Sequence, residues 1–382
     1  MKKLLILVDG SIFSYQVHGG ISNYHIGLID NQPSNIQHII IAPFYLNISL
    51  HNSSFPIFGL YIPRELKSYL AVKFLLRISL VLIPLISTLS YLFLLFFGWQ
   101  VMIQLTYSRK LSPFYKLPFI KNIIYTIHDM IPEKYPSLFL SNSIASQQKI
   151  QHTTHCNFLL FVSSTTLNDF SRFVSDYPYY LKAFGKCSTF ITHNTVRKSF
   201  LNLVRKNPIK LYNKYLFFMT ISGSAPYKNL SLYIDAAFHF QHILDLTFLV
   251  IGNSEEIIQS FPLLPSNLQI VQPDDTELVS MYYSSLCYVS CSLDEGFDIP
   301  LLESAASNTP IVCSDIAVHR EIYEGSSVEF FDPCNCFDLI LILENHYVNF
   351  KSTNRRMSVD YSELVEIFTA VSMYSNYFEA LL

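Results

Sequence analysis

Charge is scarce in this chain: only 14% of its residues are Asp, Glu, Lys or Arg, and half are hydrophobic. A chain of that balance has enough apolar surface to bury a core, which excludes intrinsic disorder. Internal repeats and low-complexity tracts are missing. Paired cysteines are missing too: the seven cysteines are scattered, and Cys334 and Cys336 stand too close together for metal-ligand or redox spacing. That removes a zinc module and a disulfide framework and leaves a reducing cytoplasm as the expected compartment. The apolar run at the start, Leu4 to Val8, ends at the acid Asp9. It is too short for a secretory leader and reads as a first strand. With a net charge of −3, no nucleic-acid partner is expected.

At 382 residues the chain is long enough for two domains. Both halves alternate strand and helix, the pattern of parallel α/β sheets. Buried strands are expected at Leu4–Val8, His38–Ala42, Val101–Leu105, Ile123–Ile127 and Phe158–Val162, then at Tyr215–Ile221, Thr247–Ile251, Leu268–Val271, Cys287–Ser290, Pro310–Cys313 and Val328–Phe331. Residues 195–214 are polar and basic and read as a linker, and 355–382 read as helix. The expected organisation is a first domain over 1–194, the linker 195–214, a second domain over 215–354 and a C-terminal helix over 355–382. The charge is unevenly shared. Residues 1–194 hold 15 basic and 7 acidic residues, net +8, whereas 195–382 hold 11 and 22, net −11. The first half is therefore the one expected to face anions, such as phospholipid headgroups or a lipid diphosphate.

Ile78 to Gly98 is a run of 21 residues without a charge, long enough to cross a bilayer. A single crossing would put residues 1–77 and 99–382 on opposite sides and split the first sheet, and Pro84 interrupts the run. A helix packed on the first domain, with surplus apolar surface entering one leaflet, is the preferred reading. Eight bases surround it, Arg64, Lys67, Lys73, Arg77, Arg109, Lys110, Lys116 and Lys121, against the single acid Glu65.

The most informative stretch is Glu295-Gly296-Phe297-Asp298-Ile299-Pro300-Leu301-Leu302-Glu303. The first glutamate follows an apolar strand. The second falls in the first turn of a helix that Pro300 can open. Backbone N–H groups at Phe297, Asp298 and Ile299 leave such a helix start pointing outward, where anions bind. Two carboxylates around an anion-binding helix start suit a phosphorylated sugar, with amides for phosphate and carboxylates for hydroxyls. The full string, EGFDIPLLESAASNTPIVCSD, resembles the E-x7-E signature of the retaining GT-B glycosyltransferases of the "group 1" family (family 4), of the bacterial surface-polysaccharide type. Asn308 stands where that family usually has glycine after the helix, and Asn is the next-best residue for a left-handed position.

Further segments carry the same resemblance. Gly19-Gly20-Ile21-Ser22-Asn23-Tyr24 follows the first strand and is similar to the family's GGI-x-x-Y loop beside the donor phosphates; Ser22 is expected to cap the next helix. Thr126-Ile127-His128-Asp129 lies at a strand end, where open α/β sheets place ligands. The resemblance implies that His128 donates to a hydroxyl of the transferred sugar, while Asp129 braces the loop. In Val162-Ser163-Ser164-Thr165, Ser164 or Thr165 is expected to be an N-cap. Tyr227-Lys228-Asn229 resembles the family's RKN segment, whose bases neutralise the donor diphosphate. Lys228 matches, but Tyr227 replaces the arginine and removes one charge-assisted contact. Asp298 is a second departure, standing where glycine or serine is common; it is expected to cap the helix.

What the resemblance implies is a GT-B fold, two Rossmann-like domains facing across a cleft, and retaining transfer of a hexose from a nucleotide-diphospho-sugar. Glu295 would contact the transferred sugar, Glu303 the ribose hydroxyls, Lys228 and the amides at 297–299 the diphosphate, and Gly19, Gly20 and His128 would complete the site from the first domain. No cofactor is expected beyond the nucleotide-sugar co-substrate. The chain contains no Asp-x-Asp, so a metal-independent site is expected. The acceptor is expected to be a lipid-linked or oligosaccharide chain in surface-polysaccharide (O-antigen, lipopolysaccharide) synthesis. Peripheral attachment to the anionic inner face of the plasma membrane goes with it. Two rivals from other classes are a non-catalytic nucleotide-sugar-binding relative and an integral membrane protein. The latter needs more than one uncharged run of spanning length.

Overall fold

In the computed structural model, residues 4–17, 19–106, 112–138, 149–206, 216–369 and 375–381 are described. His18, Arg109, Lys110, Tyr215 and the second part of the expected linker, 207–214, lie outside them. The chain divides into two compact units, Met1–Asn194 with Val371–Leu382, and Thr195–Ala370.

The first unit is built on seven parallel strands: β1 (Leu4–Asp9), β2 (Ile36–Tyr45), β3 (Ile57–Tyr61), β4 (Gln100–Leu105), β5 (Ile123–Ile127), β6 (Phe158–Phe161) and β7 (Ser188–Ile191), in the order β3-β2-β1-β4-β5-β6-β7. The central strands are mostly apolar because helices cover both faces of a parallel sheet; every residue of β1 and β5 is buried. The two strands without a counterpart in the sequence reading, β3 and β7, are the sheet's edges. Gly59 interrupts the apolar residues of β3, and β7 opens on Ser188 and Thr189.

The second unit holds β8 (Leu216–Ile221), β9 (Leu246–Ile251), β10 (Leu268–Val271), β11 (Tyr288–Ser290), β12 (Ile311–Ser314) and β13 (Val328–Phe331), ordered β10-β9-β8-β11-β12-β13 and all parallel. All six coincide with the expected runs to within a residue or two. Both sheets reverse direction of growth once, between β1 and β4 and between β8 and β11. That is the doubly wound arrangement, and the crevice at the carboxyl ends of the strands flanking the reversal is its ligand position.

Three expectations change in detail. The first part of the linker is ordered within the second unit: Phe200 of the helix Lys198–Arg205 is fully buried and Arg197 is nearly so. The described helices of the tail are Ser362–Thr369 and Ser375–Leu381. Ser362–Thr369 belongs to the second unit and Ser375–Leu381 to the first, where the Tyr377 ring lies 5.9 Å from Phe190 and that of Phe378 6.4 Å from His38. The apolar run is part of a 27-residue helix, Leu70–Phe96, that passes through Pro84 without a break. Proline removes one N–H from the ladder and strains the preceding turn, and packing on the sheet holds the helix on both sides of it. Among the described residues it is the one helix long and apolar enough to cross a membrane.

Candidate functional site

The loops after β8 and β11, the two strands at the reversal, are tied together by the backbone: Leu293 N–H donates to the Tyr227 carbonyl at 2.7 Å. The first loop ends in a short turn, Pro226–Lys228, closed by Asn229 in the left-handed conformation (φ 51°). The Asn229 amide donates to the Pro333 carbonyl at 2.9 Å, which anchors the turn. Lys228 is thereby aimed at the second loop, where its ammonium meets the Glu295 carboxylate at 2.5 Å. Ser292 donates to the same oxygen at 2.7 Å. Burial works against charge on Lys228, but Glu295 first and Asp298 second override it and raise its pKa, so the lysine is a fixed cation. Tyr227, at the family's arginine position, brings its ring to 5.6 Å from the Lys228 ammonium. The lysine and the glutamate singled out from two separate motifs are thus one pair.

Asp298 does not cap the helix Ile299–Ala306; no side-chain cap bond is present. Its backbone is left-handed, φ 71°, which is why glycine is the usual residue there and why Asp, one of the few others that tolerate this region, can replace it. In that conformation its carboxylate turns inward, accepting from Ser290 Oγ at 2.5 Å and lying 3.2 Å from His319 Nε2. The other ring nitrogen, Nδ1, is 2.8 Å from the Ser314 carbonyl. Both nitrogens face oxygens that accept, so the ring carries two protons. Burial opposes the charge on His319, and Cys313 and Asp298 outweigh it, raising its pKa to about 10. Asp298 is held below the usual carboxylate range, against burial, chiefly by its bond to His319. The negative charge expected near the phosphates is therefore neutralised by a residue twenty-one positions on. The side chains of Phe297 and Ile299 are buried, and Phe297 packs edge-on to Phe368 at 5.7 Å. Only their backbones are available to a ligand.

Glu303 sits inside the helix, 6% exposed at the side chain. Its oxygens lie 3.9 Å from the Arg197 guanidinium and 3.4 Å from the Tyr282 hydroxyl. Arg197 is committed to Asp275 through two bonds of 2.9 and 3.1 Å, so it gives Glu303 only partial compensation. Burial pushes the Glu303 carboxyl up to about 7. Arg197, Asp275, Tyr282 and His319 were not singled out from the sequence. The Asp298 departure was the one signal that pointed to a missing partner.

The first unit carries the remaining candidates. Gly19 precedes the helix Gly20–Asp30 in an extended conformation, and Ser22, expected as a cap, instead sits in the first turn and donates to the Gly19 carbonyl at 2.9 Å. His128 follows β5. Its ring packs edge-on against Tyr24 at 5.0 Å and His25 at 5.5 Å, and among the described residues its buried Nε2 has no hydrogen-bond partner. Burial, helped by Lys149, pushes its pKa down to about 3, so it is a neutral imidazole. Asp129 braces its loop: its carboxylate accepts from Ile131 N–H at 3.2 Å, and Lys149 bonds its carbonyl at 2.8 Å and its carboxylate at 3.2 Å. The helix after β6 is capped one residue earlier than expected, by Ser163, which accepts from Thr166 N–H at 3.0 Å. Among the described residues no three His, Cys, Asp or Glu side chains cluster as a metal ion would require.

With this geometry in hand, comparison with known proteins is informative. Residues 204–333 match the family described as glycosyl transferases group 1. The O-antigen chain mannosyltransferase RfbU of Salmonella typhimurium is 25% identical over 218 residues, 56% of this chain and 57% of that protein. The match therefore spans little more than half the relative's length. Solved structures align almost end to end. HepE from Anabaena in complex with UDP and glucose superposes with a TM-score of 0.64 at 12% identity, 99% of each chain being covered. A trehalose-6-phosphate protein from E. coli bound with UDP-2-fluoro glucose gives 0.63 at 12% identity and the same coverage. The sucrose-phosphate synthase of Thermosynechococcus elongatus gives 0.61 at 13%, covering 99% of this chain and all of the other. At such identities the likeness speaks for the fold alone. The fold is GT-B, and residues 204–333 match the glycosyl transferases group 1 family.

Proposed function

We propose that this protein transfers a hexose from a nucleotide-diphospho-sugar to a saccharide acceptor, with retention of anomeric configuration and without a metal ion. The observation that carries the reading is the Lys228–Glu295 pair at the reversal point of the second sheet, inside the matched domain. In transfer, the bond from the anomeric carbon to the diphosphate breaks, an acceptor hydroxyl adds to that carbon and loses its proton, and a nucleoside diphosphate leaves. Charge then grows on the leaving diphosphate, and a preorganised cation there is the largest stabilisation a protein can offer. Lys228, released from Glu295, fills that role with the amides at 297–299. Glu295 then turns to the sugar, and Glu303 accepts from the ribose hydroxyls. His128, neutral and unpartnered, donates to a sugar hydroxyl, with the Gly19-Gly20 loop beside the phosphates; orientation supplies much of the remaining rate.

The acceptor in this reading is lipid-linked and belongs to cytoplasmic-face assembly of a surface polysaccharide. The name of the Salmonella relative and the basic surplus of residues 1–194 support it. Thermal-shift screening against a panel of UDP-, GDP-, ADP- and dTDP-sugars tests the proposal, followed by nucleoside-diphosphate release with each stabilising donor and a membrane extract. At least one donor should raise Tm and be consumed. A panel in which none does so overturns it.

A further inference from the structure

The helix Leu70–Phe96 exposes a side as apolar as the one it buries. Its sheet-facing side buries Ser79, Pro84, Ser87 and Thr88 along with Leu76, Ile83 and Tyr91. Ser79 is bonded to β2, 3.2 Å from both the N–H and the carbonyl of Phe44. The outward side is apolar too. Leu70, Phe74, Val81, Leu89, Phe93 and Phe96 recur at intervals of three, four, seven or eight, one stripe of a helix, and all are exposed, Leu70 to 83% and Phe96 to 85%. A helix on a water-soluble surface has a polar outward side. An apolar stripe some 27 residues long exceeds what a monomer leaves in water without a use for it.

Three features say what covers it. Exposed bases border the stripe: Lys67, Lys73 and Arg77 at its start, Lys116 and Lys121 near its end, where Tyr91 donates to the Lys121 carbonyl at 2.9 Å. Among the described residues none of the five has an acidic partner. Aromatic residues with a polar tip stand at both ends, Tyr69 and Trp99, each exposed, as at membrane–water boundaries. And the inner side, apolar at Leu76, Ile83 and Tyr91 and polar at Ser79, Ser87 and Thr88, is packed on the sheet, so the helix can offer only its outer side to lipid.

We propose that this helix lies in one leaflet of an anionic bilayer, its stripe among the acyl chains, its basic border on the headgroups and Trp99 at the boundary. The anchor is monotopic, not a span. A second copy of the chain is the poorer occupant, because two identical basic borders would meet and repel. The inference does not depend on the transferase reading, and its test reads lipid, not sugar.

The chain's single tryptophan is Trp99, so its emission reports directly on the boundary. Vesicles of phosphatidylglycerol and phosphatidylcholine should blue-shift that emission and float the protein, and brominated acyl chains should quench it. Each base near an anionic surface strengthens binding about fivefold, so Lys73→Glu with Arg77→Glu should weaken it at least tenfold, and 0.5 M salt should release most of the protein. Phe93→Ser with Phe96→Ser, both at exposed positions, should abolish the blue shift while leaving circular dichroism and the Tm unchanged. Four outcomes overturn the proposal: unshifted emission with no flotation; a lipid-independent dimer that shields Trp99; equal binding to pure phosphatidylcholine with resistance to carbonate; and undiminished binding by the serine variant.

Discussion

Donor affinity should depend on pH through Glu303. Its carboxyl titrates at about 7 because burial penalises its charge and Arg197, spent mainly on Asp275, restores only part of it. To accept from a ribose hydroxyl strongly it must be ionised. From a pKa near 7, about nine in ten molecules are ionised at pH 8 and about one in ten at pH 6. The donor Kd should therefore rise about tenfold over that interval, or about 1.4 kcal/mol. The site's histidines do not share the window, since His128 lies at about 3 and His319 at about 10. Isothermal titration from pH 6 to 8, at constant ionic strength and in two buffers, measures both the affinity and the proton released on binding. Glu303→Gln should bind more weakly at pH 8 and show no slope. Stability moves the other way. A carboxyl raised in the folded state costs nothing below its ordinary 4.5, and the cost grows from there up to about 7, above which it is constant. Acid therefore favours the Glu303 contribution to folding while it weakens the donor. A wild-type Kd that is flat from pH 6 to 8, or a Gln variant that keeps the slope, would refute the assignment.

Lys228→Ala should raise the donor Kd, with a loss that shrinks as salt is added because screening already weakens the contact; titrations at two ionic strengths check this. Asp298→Asn keeps the left-handed backbone and removes only charge. The imidazole of His319, still protonated at pH 8 in the wild type, should then titrate below that pH in proton NMR. The stability attached to its raised pKa is fully present below 6.5 and lost as pH rises through about 10, so the urea midpoints of wild type and variant should converge over that range. EDTA should leave transfer intact, and activity lost to it and restored by Mn2+ would contradict the metal-independent reading.

Much of the architecture was legible because parallel strands buried on both faces are written as unbroken apolar runs, as at Ile123–Ile127 and Leu246–Ile251. The edge strands Ile57–Tyr61, interrupted by Gly59, and Ser188–Ile191, which opens on Ser188 and Thr189, passed unnoticed. Local backbone demands were partly legible: Asn308 does adopt φ 51° after its helix, whereas the caps at Ser163 and Gly19 fall away from the residues chosen for them. At the site, the E-x7-E string drew attention to Glu295 and Glu303, but spacing carries no information on what a side chain will meet through space. The Lys228–Glu295 bond joins residues 67 positions apart. The Asp298–His319 pair depends on a left-handed turn that redirects a carboxylate from the helix start into the core. Arg197, placed in a linker by its polar neighbours, is a buried partner of Asp275 and Glu303. The apolar character of Leu70–Phe96 was in the sequence throughout; which side faces the sheet was not.

The most direct test of the central claim is Glu295→Gln, assayed for both turnover and donor binding with whichever nucleotide-sugar the screen identifies. Removing the carboxylate deprives the transferred sugar of its contact in the transition state but frees Lys228 for the diphosphate. Nucleoside-diphosphate release should accordingly fall by about a hundredfold or more, while the donor Kd stays within about threefold of wild type. A Glu295→Gln protein that transfers sugar at the wild-type rate contradicts the account.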